Sequence, residues 1–296
     1  MDLIKALPSA RPPFLLLSPL CVALGLALSY QTSGAINMWL AFLTLLGAIT
    51  AAVAVNTINE YQDFTSGLDL TTDKTPFSGG SGLLVEQPDL KHSVKLLAIA
   101  STAITIVIGC FLLWFSSWLL FPVGLVGMII IMTYTRWLNK APILCYLAPG
   151  VGFAILMVMG TVLVQNQAIV LTQMLIASIP AIAISNLLLV NQFPDKEADA
   201  AIGRNHVLIF YGYEKASLLY LFTSLFNCLL LAWLIYSEVL SYWSLLVFIP
   251  LLLPFIVFRG LALYAKQLAK YPQYMALNVI ATLVSTLLLT LSLIAS

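Results

Sequence analysis

Long apolar runs follow one another along the chain, and short polar connections separate them. Nine runs stand out, at 14–30, 38–58, 96–115, 118–135, 148–164, 174–192, 217–236, 243–258 and 275–295. Each approaches the ~20 residues that a helix needs to cross the hydrocarbon core of a membrane. The runs are continuous rather than alternating, which favours helices over the strands of a membrane barrel. The pattern predicts an all-α polytopic membrane protein with nine transmembrane helices.

The composition agrees with this prediction. The 296 residues are 61% hydrophobic and only 8% charged, and the mean hydropathy is +1.01. About a quarter of the residues of a soluble domain are charged, so this chain cannot cover a surface that faces water. The four cysteines lack the spacing of a metal site or a disulfide framework. We expect a single transmembrane domain over residues 1–296, surrounded by lipid and without a nucleic-acid partner.

The placement of charge predicts the orientation in the membrane. All thirteen Lys and Arg residues fall on one side of the nine-span arrangement, and the connections at 31–37, 116–117, 165–173 and 237–242 contain none. The positive-inside rule therefore predicts a cytoplasmic N-terminus and an external C-terminus. Eleven of the twelve acidic residues lie on the same side, Glu238 being the exception. We expect a protein of the inner, cytoplasmic membrane whose functional site faces the cytoplasm.

Two similar polar motifs occur at the cytoplasmic ends of the second and sixth spans. The first reads Asn59-Glu60-Tyr61-Gln62-Asp63 and is followed by Asp69 and Asp73, and the second reads Asn191-Gln192-Phe193-Pro194-Asp195 and is followed by Asp199. Residues four apart share one face of a helix, so each Asn points the same way as its Asp. Matching motifs four spans apart predict a repeated four-helix unit and a ninth helix, in a 4+4+1 arrangement around a central cavity.

Carboxylates gathered beside a membrane suggest a hard cation. Mg²⁺ prefers a few carboxylates, several waters and the phosphates of a substrate. The predicted metal ligands are Asp63, Asp69, Asp195 and Asp199. Taken singly, each cluster also suits a solvated turn, because Asp is common in turns. Their pairing on matching spans and on one membrane face favours a site that binds a diphosphate through Mg²⁺.

Basic side chains near the two motifs are candidates for binding phosphate oxygens. They are Lys74, Arg136, Lys140 and Arg204. The positive-inside rule alone explains most cations in such loops, so Lys74 and Arg204, which adjoin the acidic clusters, are the strongest candidates. The glycine-rich segment 76–82 suits close backbone approach to an anion, but it lacks the Gly-Lys-Ser/Thr of a P-loop. His206 is too isolated in sequence to indicate a zinc site.

With both motifs, the chain resembles the UbiA superfamily of intramembrane prenyltransferases. Members carry two Asp-rich motifs at the cytoplasmic ends of helices two and six of nine, and here Asn59…Asp63 and Asp195…Asp199 match them. The menaquinone-type branch, similar to 1,4-dihydroxy-2-naphthoate polyprenyltransferases, is the nearest in pattern, since Gly67 and Asp69 follow its longer first motif. The chain departs from that pattern at Glu60, where Asp is usual, and at 204–206, where Gly-Lys-Arg-Thr is frequent.

The resemblance implies Mg²⁺-dependent transfer of a polyprenyl group from its diphosphate to an aromatic or quinone-precursor acceptor. It implies catalytic roles for Asp63, Asp195, Lys74 and Arg204. The predicted substrate-binding residues are Asn59, Arg136, Lys140, Tyr134, Asn191 and Tyr146. We expect a carboxylated acceptor to pair with Arg136 or Lys140, because a desolvated carboxylate needs a charged donor. A different acceptor, a non-catalytic lipid-binding homologue and a transporter remain as alternatives.

Overall fold

A computed structural model describes residues 2–72, 74–166 and 168–296. Asp73, which follows the first acidic motif, therefore lies outside the described residues. Within the described ranges the chain is helical and contains no strand. The predicted fold class is confirmed, because eight helices are long and apolar enough to cross a membrane and a ninth apolar helix is shorter.

We number these nine membrane helices in chain order. They are α1 (Pro12–Ser33), α2 (Met38–Ser66), α3 (Pro88–Phe115), α4 (Leu120–Thr133), α5 (Pro142–Asn166), α6 (Leu171–Ala201), α7 (Val207–Tyr236), α8 (Tyr242–Lys270) and α9 (Pro272–Ile294). Short helical turns at Leu3–Ala6, Leu68–Leu70 and Leu83–Glu86 lie in the connections on the side of the acidic motifs.

Several helices extend beyond the apolar runs that predicted them, and the extensions of α2 and α6 carry the acidic motifs. Helix α2 continues to Ser66, so that Asn59 and Asp63 lie on its last two turns. It ends where Gly67 adopts a left-handed conformation (φ 83°) and donates its N–H to the carbonyl oxygens of Asp63 and Phe64, a common way to end a helix. Helix α6 continues through Pro194 to Ala201 without a break, and this keeps Asp195 and Asp199 on one helix.

Close contacts between small residues hold several helices together. A Cβ atom on Gly150 of α5 would collide with the carbonyl oxygen of Ala181 on α6, and one on Gly25 of α1 would lie 2.6 Å from Cβ of Thr161 on α5. Small residues let the backbones of membrane helices approach, which increases van der Waals contact where lipid supplies no hydrophobic driving force. Helix α5 also contains a π-helical segment at Gly150–Leu156, directly after Pro149.

The main apolar core joins α1, α5, α6, α7, α8 and α9, with buried side chains such as Leu24, Val158, Ile179, Leu231 and Leu289. Helix α4 differs from these helices, because none of its residues is buried. It forms one side of a cavity of about 480 Å³ whose walls come from α1 to α6. The cavity therefore lies between helices α1 to α6. Helices α7 to α9 pack against the outer side of α6 and α1.

Candidate active site

The two acidic motifs meet through one arginine. The Arg204 side chain donates from Nη1 to Asp199 Oδ1 at 2.7 Å and from Nη2 to Asp63 Oδ1. Asp199 lies on α6, Asp63 lies on α2, and Arg204 lies in the connection after α6. The structure thus brings together the clusters that the sequence predicted to share one site, and Arg204 bridges them as a charged, two-pronged donor.

The other carboxylate oxygens of this pair also have partners. Asn59 Nδ2 donates to Asp63 Oδ2 at 2.9 Å and to Thr135 Oγ1 at 3.1 Å. His206 Nε2 lies 3.1 Å from Asp199 Oδ2, and the His206 side chain is buried. The predicted neighbourhood of Asn59 and Asp63 is therefore observed. The contact of His206 was not predicted, because it depends on the turn at 202–205 rather than on helical spacing.

Three buried oxygen atoms at the site lack a hydrogen-bond partner among the described residues. They are Asp69 Oδ2, Asp195 Oδ1 and Asn191 Oδ1. The second oxygen of Asp195 accepts from the backbone N–H of Gly79 at 3.2 Å. Buried polar atoms without a partner are costly and need an explanation. Two carboxylates and an amide, all presenting free oxygens, form the kind of donor set that a hard cation such as Mg²⁺ takes.

The arrangement fits a cation in chemistry, although the ligands are not gathered around one point. Among the described residues, no group of three or more His, Cys, Asp or Glu side chains is close enough to hold a metal ion. Arg204 instead pairs with Asp63 and Asp199. Burial raises the pKa of Asp69 to about 7, and the Asp63 and Glu60 carboxylates add to the effect. A bound divalent cation would act in the opposite direction, because it favours the ionised carboxylate.

The glycine-rich segment is fixed against both motifs. The Ser81 N–H donates to Glu60 Oε2 at 2.9 Å, and the Ser81 hydroxyl donates to Glu60 Oε1. Gly80 has φ +71°, and a Cβ atom there would lie 3.3 Å from oxygens of both Asp69 and Glu60. Together with the bond from Gly79 to Asp195, these contacts hold residues 79–81 across the site. Glu60 thus anchors this segment.

Replacing Glu60 with Ala is expected to release the segment. The Ser81 N–H would lose its charged acceptor, which costs about 2 kcal/mol and corresponds to a roughly 30-fold faster local amide exchange. Hydrogen exchange of peptides covering 79–82 measures this in detergent. Glu86→Ala is the matched control, because Glu86 is exposed in the same connection. Unchanged exchange in Glu60→Ala would show that other contacts hold the segment.

The remaining predicted cations lie on connections between helices. Arg136, Lys140 and Lys74 are exposed, and Lys74 Nζ donates to the Ser81 carbonyl oxygen. The backbone N–H of Asn205 donates to the Asn139 carbonyl oxygen at 2.9 Å, which ties the turn after α4 to the connection that carries Arg204. Of the four predicted cations, Arg204 is the one that pairs with a carboxylate among the described residues.

The two predicted tyrosines lie in different places. Tyr134 lines the cavity, and its hydroxyl oxygen lies 4.0 Å from Cys145 Sγ. Tyr146 is buried, and its hydroxyl donates to Asn186 Oδ1 at 2.9 Å. It packs among residues of α6, α7, α8 and α9 and is not part of the cavity wall. Tyr146 is thus on the face of α5 that packs against α6.

The cavity joins the polar site to an apolar interior. Arg11, Asn56, Asn59, Tyr134 and Asn191 contribute its polar wall, while the rest is mostly aliphatic, glycine and phenylalanine. Sequence reasoning missed Arg11 as a site residue. The signal was present in an arginine directly before Pro12-Pro13 and the first apolar run, but the positive-inside rule already accounted for the charge.

Comparison with known proteins agrees with this geometry. A family model, the UbiA prenyltransferase family, matches residues 16–280. The chain is 31% identical over 212 residues to a 1,4-dihydroxy-2-naphthoate octaprenyltransferase of Bacillus subtilis (strain 168). This match covers 70% of the chain and 65% of the relative, so the chain spans just under two thirds of that protein.

Solved structures show the same fold. A UbiA homologue from Archaeoglobus fulgidus bound to DMAPP and Mg²⁺ superposes with a TM-score of 0.68 at 16% identity, over 95% of this chain and 99% of that one. A UbiA homologue from Aeropyrum pernix K1, without ligand, gives a TM-score of 0.71 at 16% identity, over 95% and 97%. The family match, which covers most of the chain, together with the paired acidic motifs, shows that this protein belongs to the UbiA prenyltransferase family.

Proposed function

We propose that this protein is a Mg²⁺-dependent membrane enzyme that transfers a polyprenyl group from its diphosphate to an aromatic acceptor. The observation that carries the proposal is the meeting of the two acidic motifs, through Arg204, beside an apolar cavity of about 480 Å³. Such a site suits a substrate with a highly charged head and a long apolar tail. The naphthoate octaprenyltransferase relative and a neighbour bound to DMAPP and Mg²⁺ support the assignment.

The carboxylates would hold the metal. Asp69 and Asp195 present free oxygens, and Asp63 and Asp199 become available if Arg204 releases them. Bound Mg²⁺ would neutralise charge on the diphosphate and so make it a better leaving group. Arg204 then remains beside the same carboxylates as a donor for phosphate oxygens, and Lys74 lies on the nearby connection.

The chemical step breaks the C–O bond between the allylic carbon and the diphosphate. The diphosphate leaves with the electron pair, and the allylic carbon becomes a delocalised cation that an electron-rich ring carbon attacks. That carbon then loses the hydrogen that it carried as a proton, which the released diphosphate accepts, and the ring regains its aromaticity. The apolar cavity excludes water that would otherwise quench the cation. Tyr134, on the cavity wall, can face the cation with its ring.

The acceptor that we propose is a carboxylated naphthalene diol of the menaquinone type, as the name of the Bacillus relative suggests. The membrane partner is lipid around the nine helices, with the N-terminus and the site on the cytoplasmic side. The one-sided distribution of all thirteen Lys and Arg residues supports that orientation.

Incubation of the purified protein with radiolabelled polyprenyl diphosphates and a panel of aromatic acceptors tests the proposal. We expect a prenylated product that requires both Mg²⁺ and an acceptor and that disappears with excess EDTA. A lipid-binding homologue would bind the labelled diphosphate without forming product. A transporter would move label across sealed vesicles without changing it, and either result would refute the assignment.

A further inference from the structure

Arg11 adopts a strained backbone conformation. Its φ of 53° and ψ of 64° place it in the left-handed region, and among the described non-glycine residues only Glu238 shares a positive φ. For a residue with a Cβ atom this conformation costs roughly 1–2 kcal/mol. Such strain persists only where the surroundings impose it, and it clusters at functional sites.

Several contacts impose the conformation. Asn56 Nδ2, on α2, donates to the carbonyl oxygen of Ala10 at 2.8 Å, and the Arg11 N–H donates to the Pro8 carbonyl oxygen at 3.0 Å. The guanidinium carbon lies 4.6 Å from the centre of the Phe14 ring, and Nη2 donates to the Phe77 carbonyl oxygen at 3.3 Å. The turn before α1 thus places the Arg11 guanidinium at the cavity wall.

The guanidinium has donors to spare. It lines the cavity, and no carboxylate among the described residues lies within ion-pair distance of it. A guanidinium carries five N–H groups in a planar fork, of which one makes the bond to Phe77. A cation held in a largely apolar cavity with unused donors is a ready partner for a planar anion.

We propose that Arg11 binds the carboxylate of the aromatic acceptor. This inference rests on the proposed function and replaces the sequence-based prediction that Arg136 or Lys140 does so, since both are exposed. Arg204 already lies at the acidic motifs, where the diphosphate head belongs. Burial lowers the pKa of the Arg11 guanidinium, and the carboxylates of Glu60, Asp195 and Asp63 oppose that effect, so the guanidinium lies near the acidic motifs. The acceptor ring must reach the same place, because the allylic carbon that it attacks is bonded to the diphosphate. The acceptor would therefore enter with its ring near Phe14.

Equilibrium binding without prenyl diphosphate tests this inference separately from turnover. The probes are 1,4-dihydroxy-2-naphthoate and 1,4-dihydroxynaphthalene, which differ by the carboxylate. We expect the wild-type protein to prefer the carboxylated probe by about 10- to 100-fold, the range of a hydrogen-bonded charge. Arg11→Gln should abolish the preference, and Arg11→Lys, which keeps the charge but loses the fork, should retain part of it. Arg259→Gln, an exposed arginine on α8, is the matched control.

The KM values of the two substrates give a second test of this inference. Arg11→Gln should raise the KM of the carboxylated acceptor at least tenfold and leave the KM of the prenyl diphosphate within about twofold, because the lost contact concerns one substrate. Equal weakening of both substrates would overturn the inference and place Arg11 on the diphosphate. Loss of the preference in Arg136→Gln instead of Arg11→Gln would overturn it as well.

The outcomes also separate this inference from the proposed function. A wild-type protein that prenylates neutral acceptors but shows no preference for the carboxylated probe refutes the role of Arg11 and leaves the transferase assignment intact. A carboxylate preference that depends on Arg11, in a protein that never forms prenylated product, supports the site and refutes the transferase. If Arg11→Gln does not fold, Arg11→Lys decides, because an unchanged preference in that variant contradicts a bidentate contact.

Discussion

Replacing Asp195 with Asn is expected to lower the rate of prenyl transfer by roughly a thousandfold. Asp195 presents one free buried oxygen to the site and uses the other to accept the Gly79 N–H at 3.2 Å. The substitution removes the negative charge that would hold the cation, and metal coordination supplies several kcal/mol of transition-state stabilisation. About 4 kcal/mol corresponds to a thousandfold in rate. Asn is close to Asp in shape, so the helix should persist.

Glu197→Gln is the matched control, because it removes a carboxylate two residues further along the same helix. Glu197 is exposed and lies outside the cavity wall. Its rate should stay within about twofold of the wild type, since isolated surface charges contribute little. Turnover above about a tenth of wild type in Asp195→Asn would remove this carboxylate from the catalytic site.

Arg204→Gln is expected to destabilise the metal-free protein by about 3 kcal/mol and to abolish turnover. The guanidinium binds two carboxylates, Asp63 and Asp199, whose side chains are at most 10% exposed. Removing one partner of a buried ion pair leaves an uncompensated buried charge, which costs about 3–5 kcal/mol. Thermal unfolding in detergent with EDTA measures the loss. Lys215→Gln, which removes an exposed cation near the start of α7, is the control.

A double variant separates the electrostatic cause from a loss of packing. Adding Asp63→Asn to Arg204→Gln removes one of the two uncompensated charges, so the double variant should be more stable than Arg204→Gln alone. Coupling of this kind is expected for residues in one ion-pair network. A double variant whose loss of stability equals the sum of the two single losses would show that the bridge between the motifs contributes little to the fold.

The fold was predictable because lipid imposes a simple rule on the sequence. Continuous apolar runs must be helices, since backbone groups in the hydrocarbon need internal partners. The ends of the helices were less predictable. The apolar run of α2 stops near 58, but the helix continues to Ser66. Its backbone hydrogen bonds continue beyond the apolar run, and the Gly67 N–H caps the last turn.

The site was predictable where it depends on helical spacing and not where it depends on connections. Asn59 contacts Asp63 as four-residue spacing requires. The bonds of Ser81 to Glu60 and of Asn56 to the backbone before Arg11 join residues 21 and 46 apart in sequence. No local pattern indicates such contacts. For Tyr146 the sequence pointed to the wrong place. Its position after α4 suggested the acceptor site, but its hydroxyl donates to Asn186 inside the helix bundle.

The most direct test of the account is the stoichiometry of the reaction. Purified protein in detergent would be given a radiolabelled polyprenyl diphosphate and 1,4-dihydroxy-2-naphthoate, and released diphosphate and prenylated product would be counted at increasing Mg²⁺ concentration. One site built from both motifs predicts equal amounts of the two products, rising together with Mg²⁺ and absent in EDTA. Product formed without a divalent cation, or no product at any Mg²⁺ concentration with this acceptor or with the panel of aromatic acceptors, would contradict it.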